Sequence, residues 1–409
     1  MKQVIVTLAE AQTRWHETLQ LHTLHTESTP YTEALGSITA APITAATPYP
    51  PYHKSPFDGY ALGRGSTGQT FRVIATIGAG EIYDSPVAPD EAVRLMTGCA
   101  VPDYCDTVIM QEQVERHGET MTVTVPITHG ANIVPVGEEC PAGQEIAPAG
   151  SVLTSGLLAV AVGLGTSTFT VYPKVRVLLL TSGHEVIAPG EDLTKGKIYN
   201  SNGIFLQSLL TKEGTATVTH YHVSDKASKL AAEIQTVKAL AATADMIIST
   251  GGVSVGLFDT MPVIYEALGA TMLYNRISMR PGSASYGGYV QRAGGQIVPI
   301  LGLSGNPSAA FNAYHLLAVP VLHRLSGRKD TAYPVVNCRM IGGVHKENPV
   351  DRFIQGRLIY DHGEATFTPN HVITSSALLG LAQTNGLAMI PKGAQPCLAG
   401  DTVQVLALP

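Results

Sequence analysis

Ala244-Asp245-Met246-Ile247-Ile248-Ser249-Thr250-Gly251-Gly252-Val253-Ser254-Val255-Gly256-Leu257-Phe258-Asp259 is the stretch that decides how this chain is read. Met246-Ile247-Ile248 is an apolar run, too short for a helix and rich in β-branched residues. That is the pattern of a strand buried on both faces of a parallel sheet. Gly251-Gly252 lets the backbone turn sharply and lie against a ligand with no side chain in between. Ser254 and Gly256 continue the loop, and Asp259 sets a carboxylate just ahead of a helix expected over 261–268. In an open α/β sheet, ligands bind beyond the carboxyl ends of the strands, where such a loop lies. A lone Gly-Gly pair is more often a plain tight turn. Three comparable strand ends elsewhere in the chain turn the reading towards a ligand site.

The first of these follows Lys174-Val175-Arg176-Val177-Leu178-Leu179-Leu180, which runs into Thr181-Ser182-Gly183-His184-Glu185. The second closes a strand expected over 272–279 and reads Arg280-Pro281-Gly282-Ser283. The third, Ser304-Gly305-Asn306-Pro307, ends the apolar run 297–303 and opens a helix from Ser308 towards Leu325. Between them lie a helix over 203–213 with Gly214 beyond its end, a strand over 217–222, and a helix capped by Asp225. That last helix carries Leu230, Ile234, Val237 and Leu240 as its buried stripe. A hairpin is expected around Gly294-Gly295. Strand and helix alternate across 173–327, which predicts a doubly wound α/β domain.

Outside that span the pattern changes. Thr7 and Glu10 form a capping box for a helix reaching towards Leu24, with Leu8, Ala11, Trp15 and Leu19 on one face, read as core or a dimer seam. The segment 40–56 is rich in Pro and Thr and leads into Asp58-Gly59. Short alternating strands fill 71–125, a short helix is expected over 153–162, and 335–408 reads as a small β domain. The chain is therefore expected to divide into four parts. Residues 1–45 with 140–172 form an elongated linker and dimerisation domain, and 46–139 form an inserted β domain. Residues 173–327 form the α/β domain, and 328–409 a C-terminal β domain.

A formal net charge of −6 over 409 residues offers no basic surface for nucleic acid. Nothing is apolar for long enough to span a bilayer, and Met1-Lys2-Gln3-Val4-Ile5-Val6-Thr7 lacks the form of a signal peptide. Five scattered cysteines (Cys99, Cys105, Cys140, Cys338 and Cys397) have no zinc-site spacing and read as reduced thiols. The expectation is a cytoplasmic protein that engages neither nucleic acid nor membrane.

Seven motifs, in order along the chain, carry a family resemblance. They are Ser55-Pro56-Phe57-Asp58-Gly59-Tyr60-Ala61; Asp106-Thr107-Val108-Ile109-Met110-Gln111-Glu112; Ser182-Gly183-His184-Glu185 with Pro189-Gly190; Gly196-Lys197-Ile198-Tyr199-Asn200-Ser201-Asn202; Ser249 to Gly256 with Asp259; Arg280-Pro281-Gly282; and Gly305-Asn306-Pro307. Together they resemble the molybdopterin molybdenumtransferases of molybdenum-cofactor biosynthesis, which include the carboxy-terminal domain of gephyrin. The resemblance implies an elongated homodimer of L-shaped, four-domain subunits, with other proteins of the same biosynthesis as further partners. It implies insertion of molybdate into the dithiolene of adenylylated molybdopterin, release of AMP, and help from Mg2+ or another divalent cation. By position, Asp58, Thr107, Glu185, Asp225 and Asp259 are implied as catalytic, with Glu185 and Asp259 as metal ligands. Asp58 and Thr107 would reach the site from the partner subunit. Thr250, Gly251, Gly252, Ser254, Gly256, Arg280, Gly282, Ser283, Gly305, Asn306 and Pro307 are implied as binding molybdopterin. The chemistry is coherent: glycine strand ends present backbone N–H groups to phosphate, and carboxylates give a cation hard oxygen ligands.

The sequence also departs from the family pattern. The family usually has Asp at His184, Lys at Ser283, Arg at Val134, Pro at Ser304, Asp at His53 and an acidic residue at Leu257. Two readings follow: an active molybdenumtransferase, or a non-catalytic relative that binds molybdopterin or partners an active member. An adenylyltransferase built on the α/β domain alone fits less well because of the extra domains. A Rossmann dehydrogenase lacks its Gly-x-Gly-x-x-Gly after the first α/β strand.

Overall fold

The chain is described by a computed structural model covering residues 3–20, 22–252, 260–344 and 348–409. A short strand, β1 (Ile5–Val6), leads into helix α1 (Leu8–Leu19), whose capping box between Thr7 and Glu10 is formed as the spacing predicts. The helix stops at Leu19, short of the expected Leu24. Ala11, Trp15 and Leu19 are buried in the α/β core, and the Trp15 indole N–H donates to the Tyr274 hydroxyl at 2.9 Å. The apolar stripe of this helix packs on the α/β sheet, the core role expected of it.

The next segment is mostly β structure. Glu27–Pro30 and Ile38–Thr39 flank Thr168–Tyr172 in a three-stranded sheet. Close by lies helix α2 (Ser155–Gly163), N-capped by Thr154. Between these segments the chain builds a six-stranded sheet whose strand pairings are all internal: 105–110, 59–63, 91–95, 70–77, 120–123 and 114–117, in that spatial order.

The α/β unit then follows in chain order. Its elements are β2 (Val175–Ser182), α3 (Ser201–Lys212), β3 (Ala216–Val223), α4 (Leu230–Ala241), β4 (Met246–Thr250) and α5 (Met261–Ala267). After them come β5 (Thr271–Tyr274), β6 (Arg276–Ile277), β7 (Met279–Arg280), β8 (Tyr286–Gln291) and β9 (Ile297–Leu303). The sheet runs β3-β2-β4-β9-β8-β5, with the first four strands parallel. All of β4 and β9 is buried, as apolar strands covered on both faces require. Because β2 has β3 on one side and β4 on the other, the strand order reverses between β2 and β4. That is where an open α/β sheet leaves a crevice.

The single strand expected over 272–279 is three short ones. β5 pairs with β8, β6 with β1, and β7 with a strand of the C-terminal unit. One stretch of chain thereby ties three parts of the molecule together. The helix expected from Ser308 is also segmented, into α6 (Pro307–Ala313), a π turn (314–318) and α7 (Val319–Leu325). Pro320 has no N–H to give to the preceding turn, and the Leu316 carbonyl instead accepts from Gln12 Nε2 at 3.2 Å.

The C-terminal unit consists of β10 (Val335–Met340), β11 (Asp351–Asp361), β12 (Glu364–Pro369), β13 (Gly386–Ile390) and β14 (Thr402–Ala407). β11 pairs with both β12 and β13, so the five strands close on themselves as a barrel. Its core holds Met340, Ile354, Phe367 and Val405.

Candidate functional site at the reversal of strand order

The glycine bend after β4 is pressed against the end of β2. Gly251 and Gly252 have φ of 85° and 59°, the left-handed region that glycine enters without steric cost. A Cβ on Gly251 would stand 2.4 Å from the Ser182 carbonyl oxygen, and one on Gly252 would stand 2.7 Å from Ser182 Oγ. Only glycine fits here. Ser182 is 4% exposed, and its hydroxyl has no hydrogen-bond partner among the described residues. A buried hydroxyl left without a partner calls for an explanation, and its place against a glycine bend makes it a candidate ligand group.

Asn202, in the first turn of α3, ties the neighbouring strand ends together. Its amide donates to Thr250 Oγ1 at 3.0 Å and to the Gly305 carbonyl at 2.9 Å. Thr250 Oγ1 in turn donates to the Ser304 carbonyl at 3.0 Å. The Asn306 N–H donates to Ser304 Oγ at 3.3 Å, and its side-chain amide reaches Ser375 of the barrel at 3.3 Å. The rim extends to the 280–283 loop, where a Cβ on Gly282 would lie 3.3 Å from the Ala309 carbonyl. Thr250, Gly251, Gly252, Gly305 and Asn306 thus stand together, Pro307 opens α6, and the Gly282 loop packs on that helix. The Ser283 carbonyl is engaged by the N–H groups of Ile277 and Ser285.

A cationic pair completes this rim. Arg280 on β7 is the direct cross-strand partner of Arg352 on β11, and neither is in an ion pair among the described residues. Burial first, and then the charge of Arg280, lower the Arg352 guanidinium below its ordinary value. Two neighbouring guanidinium groups, neither ion-paired among the described residues, are suited to an anion.

The carboxylates are less gathered. The Glu185 side chain is exposed, with His184 Nδ1 at 3.7 Å. Asp225 accepts from Thr260 Oγ1 at 2.6 Å. It does not cap α4, which begins only at Leu230 behind a 3-10 turn at 227–229 and has Lys229 at its N-cap. Ser254, Gly256 and Asp259, like Leu257, lie outside the described residues. No three His, Cys, Asp or Glu side chains gather as a metal site among the described residues. In the inserted sheet, Asp58 accepts the Thr97 N–H and hydroxyl, both at 2.7 Å, and these bonds hold its carboxyl below the ordinary range. Thr107 is fully buried. Its hydroxyl donates to Asp106 and accepts from the Gly130 N–H, a set of contacts internal to that sheet.

Four site residues escaped the sequence reading: Ser182, Asn202, Arg352 and Ser375. Ser182 and Asn202 lie in motifs already noted, where an orphaned or bridging side chain shows only in three dimensions. Arg352 and Ser375 come from the barrel, and no local pattern marks them.

A sheet of four parallel and two antiparallel strands, with a glycine bend and an unpartnered buried hydroxyl at its reversal and a barrel joined to its edge segment, defines a multi-domain α/β protein. Comparison with known proteins sharpens the class. Residues 6–165 match the MoeA N-terminal region (domain I and II), 180–324 a probable molybdopterin binding domain, and 339–408 the MoeA C-terminal region (domain IV). The molybdopterin molybdenumtransferase of Staphylococcus aureus is 34% identical over 381 residues, covering 91% of this chain and 89% of its own length. That of Staphylococcus epidermidis is 33% identical over the same span and shares. The fold matches the crystal structure of the molybdopterin biosynthesis MoeA protein from a Pyrococcus species, with a TM-score of 0.81, 24% identity and 99% of each chain covered. The chain belongs to the molybdopterin molybdenumtransferase family.

Proposed function

We propose that this protein is a molybdopterin molybdenumtransferase that takes adenylylated molybdopterin and molybdate and releases AMP. The observation that carries the reading is the convergence of Ser182 Oγ, the Gly251–Gly252 bend and Asn202 at the reversal of strand order, with Arg280 and Arg352 on the rim. The glycine bend and the orphaned hydroxyl offer donors to the pterin or its phosphate. The two arginines hold the incoming oxyanion beside the dithiolene. The two dithiolene sulfurs bond to molybdenum while one molybdate oxygen leaves as water with the two thiol protons; a second water attacks the phosphoanhydride, the bond to the adenylate breaks, and AMP leaves.

The same reading places a divalent cation, Mg2+ by its preference for hard oxygen, on Glu185 and Asp259. Glu185 offers an exposed carboxylate, and a cation held there would neutralise charge on the phosphoanhydride oxygens. Asp225 and the remaining assigned residues, Ser254 and Gly256 included, keep the roles the family resemblance implies. Thr107 acts at most through the loop it holds. The four-part division of the chain, 1–45 with 140–172, 46–139, 173–327 and 328–409, belongs to the same reading.

A homodimer belongs to this reading. Helix α2 is almost wholly apolar, yet Ala161 is its one buried residue, and Val160 and Val162 are 48% and 38% exposed. A helix apolar on all sides needs a cover. The internally paired sheet of Asp58 is then free to face the crevice of the partner subunit. A cytoplasmic setting and contact with other proteins of the biosynthesis follow from the same assignment. A second, non-catalytic reading draws on His184, whose exposed imidazole stands beside Glu185 where the family places a carboxylate. Single-turnover AMP release decides between them. Molybdate-dependent AMP supports the transferase, and tight molybdopterin binding with no AMP supports the non-catalytic relative.

A further inference from the structure

Thr181, the residue before the orphaned Ser182, carries a hydroxyl surrounded by three nitrogen groups. His220 Nε2 lies at 3.1 Å, His222 Nδ1 at 3.0 Å and Asn200 Nδ2 at 3.2 Å. The Asn200 amide is oriented by its own bonds. Its Oδ1 accepts the Gly203 N–H at 2.9 Å as the N-cap of α3, so its Nδ2 donates to Thr181. A hydroxyl has one proton and two lone pairs. With Asn200 on one lone pair, one imidazole must donate to the other, and the remaining imidazole must accept the hydroxyl proton. The intact arrangement therefore needs one bare nitrogen among His220 Nε2 and His222 Nδ1. Protonating both rings gives three donors facing two lone pairs and leaves the hydroxyl proton without an acceptor.

We propose that His220, Thr181 and His222 form a proton-counting clamp that positions the first turn of α3, and with it Asn202, for ligand binding at the crevice. These are positioning residues: the path runs from the histidine pair through Thr181 and Asn200 to α3, and from Asn202 to Thr250 and Gly305. The proposal rests on the crevice being the molybdopterin site. The elements packed on the pair are β2, which offers Thr181, and α3, which offers Asn200 and the Gly203 backbone, its absent Cβ 2.9 Å from His220 Cε1. Asp225, beyond the end of β3, is engaged by Thr260. Burial, and then the charge of His222, keep His220 below its ordinary value, so His220 gives up its bare nitrogen only on the acid side of neutrality.

The test compares the parent with His220→Gln/His222→Asn, which keeps a neutral polar atom near each contacting nitrogen and cannot take up the proton. His222→Asn alone, at an exposed position, serves if the double change fails to fold. Molybdopterin affinity is measured at about pH 7.5 and about pH 5.5, the range in which imidazoles titrate. The phosphate of the ligand titrates in the same range, so the quantity read is the ratio of parent to variant affinity. That ratio should fall at least about fivefold on acidification, the size of one net hydrogen bond. In the unliganded protein the Gly203 amide resonance should titrate in the parent and stay still in the variant. A constant ratio, or a Gly203 amide indifferent to pH in the parent, overturns the clamp. If neither protein binds molybdopterin at about pH 7.5 while Gly203 still titrates, the clamp stands and the ligand assignment of the crevice falls.

Discussion

Gly251→Ala tests whether the bend is held against β2 as tightly as its geometry implies. The new Cβ would start 2.4 Å from the Ser182 carbonyl oxygen, whereas ordinary contact begins at 3.4 Å. The two backbones must part by about 1 Å, which the parallel pairing of Thr181 with Thr250 resists. A φ of 85° adds roughly 1–2 kcal/mol for a residue with a Cβ. Losing one strand-end hydrogen bond adds about 1 kcal/mol. The sum is about 2–3 kcal/mol, which in a domain of this size lowers Tm by roughly 4–12 °C. Molybdopterin affinity should fall at least about tenfold, because the displaced bend no longer aims its N–H groups. Differential scanning calorimetry and equilibrium binding read both effects. A variant with parental Tm and affinity refutes the close packing. One that melts early yet binds normally shows that the packing is structural and the ligand sits elsewhere.

Ser182→Ala should leave Tm unchanged or slightly higher, since it removes an unpartnered buried hydroxyl, while molybdopterin affinity drops by roughly fivefold to tenfold; thermal melts and titration check both. Arg280→Gln and Arg352→Gln should each lower kcat/KM for molybdate by about ten- to a hundredfold, the range for one charge-assisted contact. Relief of like-charge crowding should keep the Arg352 variant as stable as the parent. If α2 forms the seam of the proposed homodimer, Val160→Asp should leave a monomer at micromolar concentration in sedimentation where the parent is dimeric, because it sets an unpaired charge on the apolar α2 face. Glu213 is partly buried, which by itself raises its pKa, but His323, Tyr333 and Arg328 prevail and hold it below its ordinary value of 4.5. Its stabilisation is therefore complete above that value and is lost as pH falls through the folded one. Glu213→Gln should cost about 3–5 kcal/mol at neutral pH and remove this acid-side step from denaturation curves.

The α/β unit was legible because each buried strand is an apolar run and each ends in glycine with polar residues. The carboxyl ends of β2, β4 and β9 fall where Ser182, Thr250 and Leu303 put them. The region after α5 was not legible as it stands. β5, β6 and β7 look like one strand because nothing local says which edge each will join. The barrel read as short strands, yet its closure through β11 depends on pairings far apart in sequence. Arg352 and Ser375 were missed for the same reason, since the site borrows them from another unit. Asp225 is not the cap because the chain makes a 3-10 turn at 227–229 before the helix starts at Leu230, a delay that no local pattern marks. Thr107 was placed by motif, and its burial shows only once the sheet has formed.

A crystal structure of the protein with molybdopterin and molybdate bound tests the central claim most directly. The account predicts the pterin phosphate against Gly251, Gly252 and Ser182 Oγ, with the oxyanion between Arg280 and Arg352. It also predicts the partner subunit's Asp58 arm across the crevice. Molybdopterin seated away from the β2–β4 reversal, for instance in the groove that Leu8, Gln12 and Tyr333 form with the barrel, would contradict it.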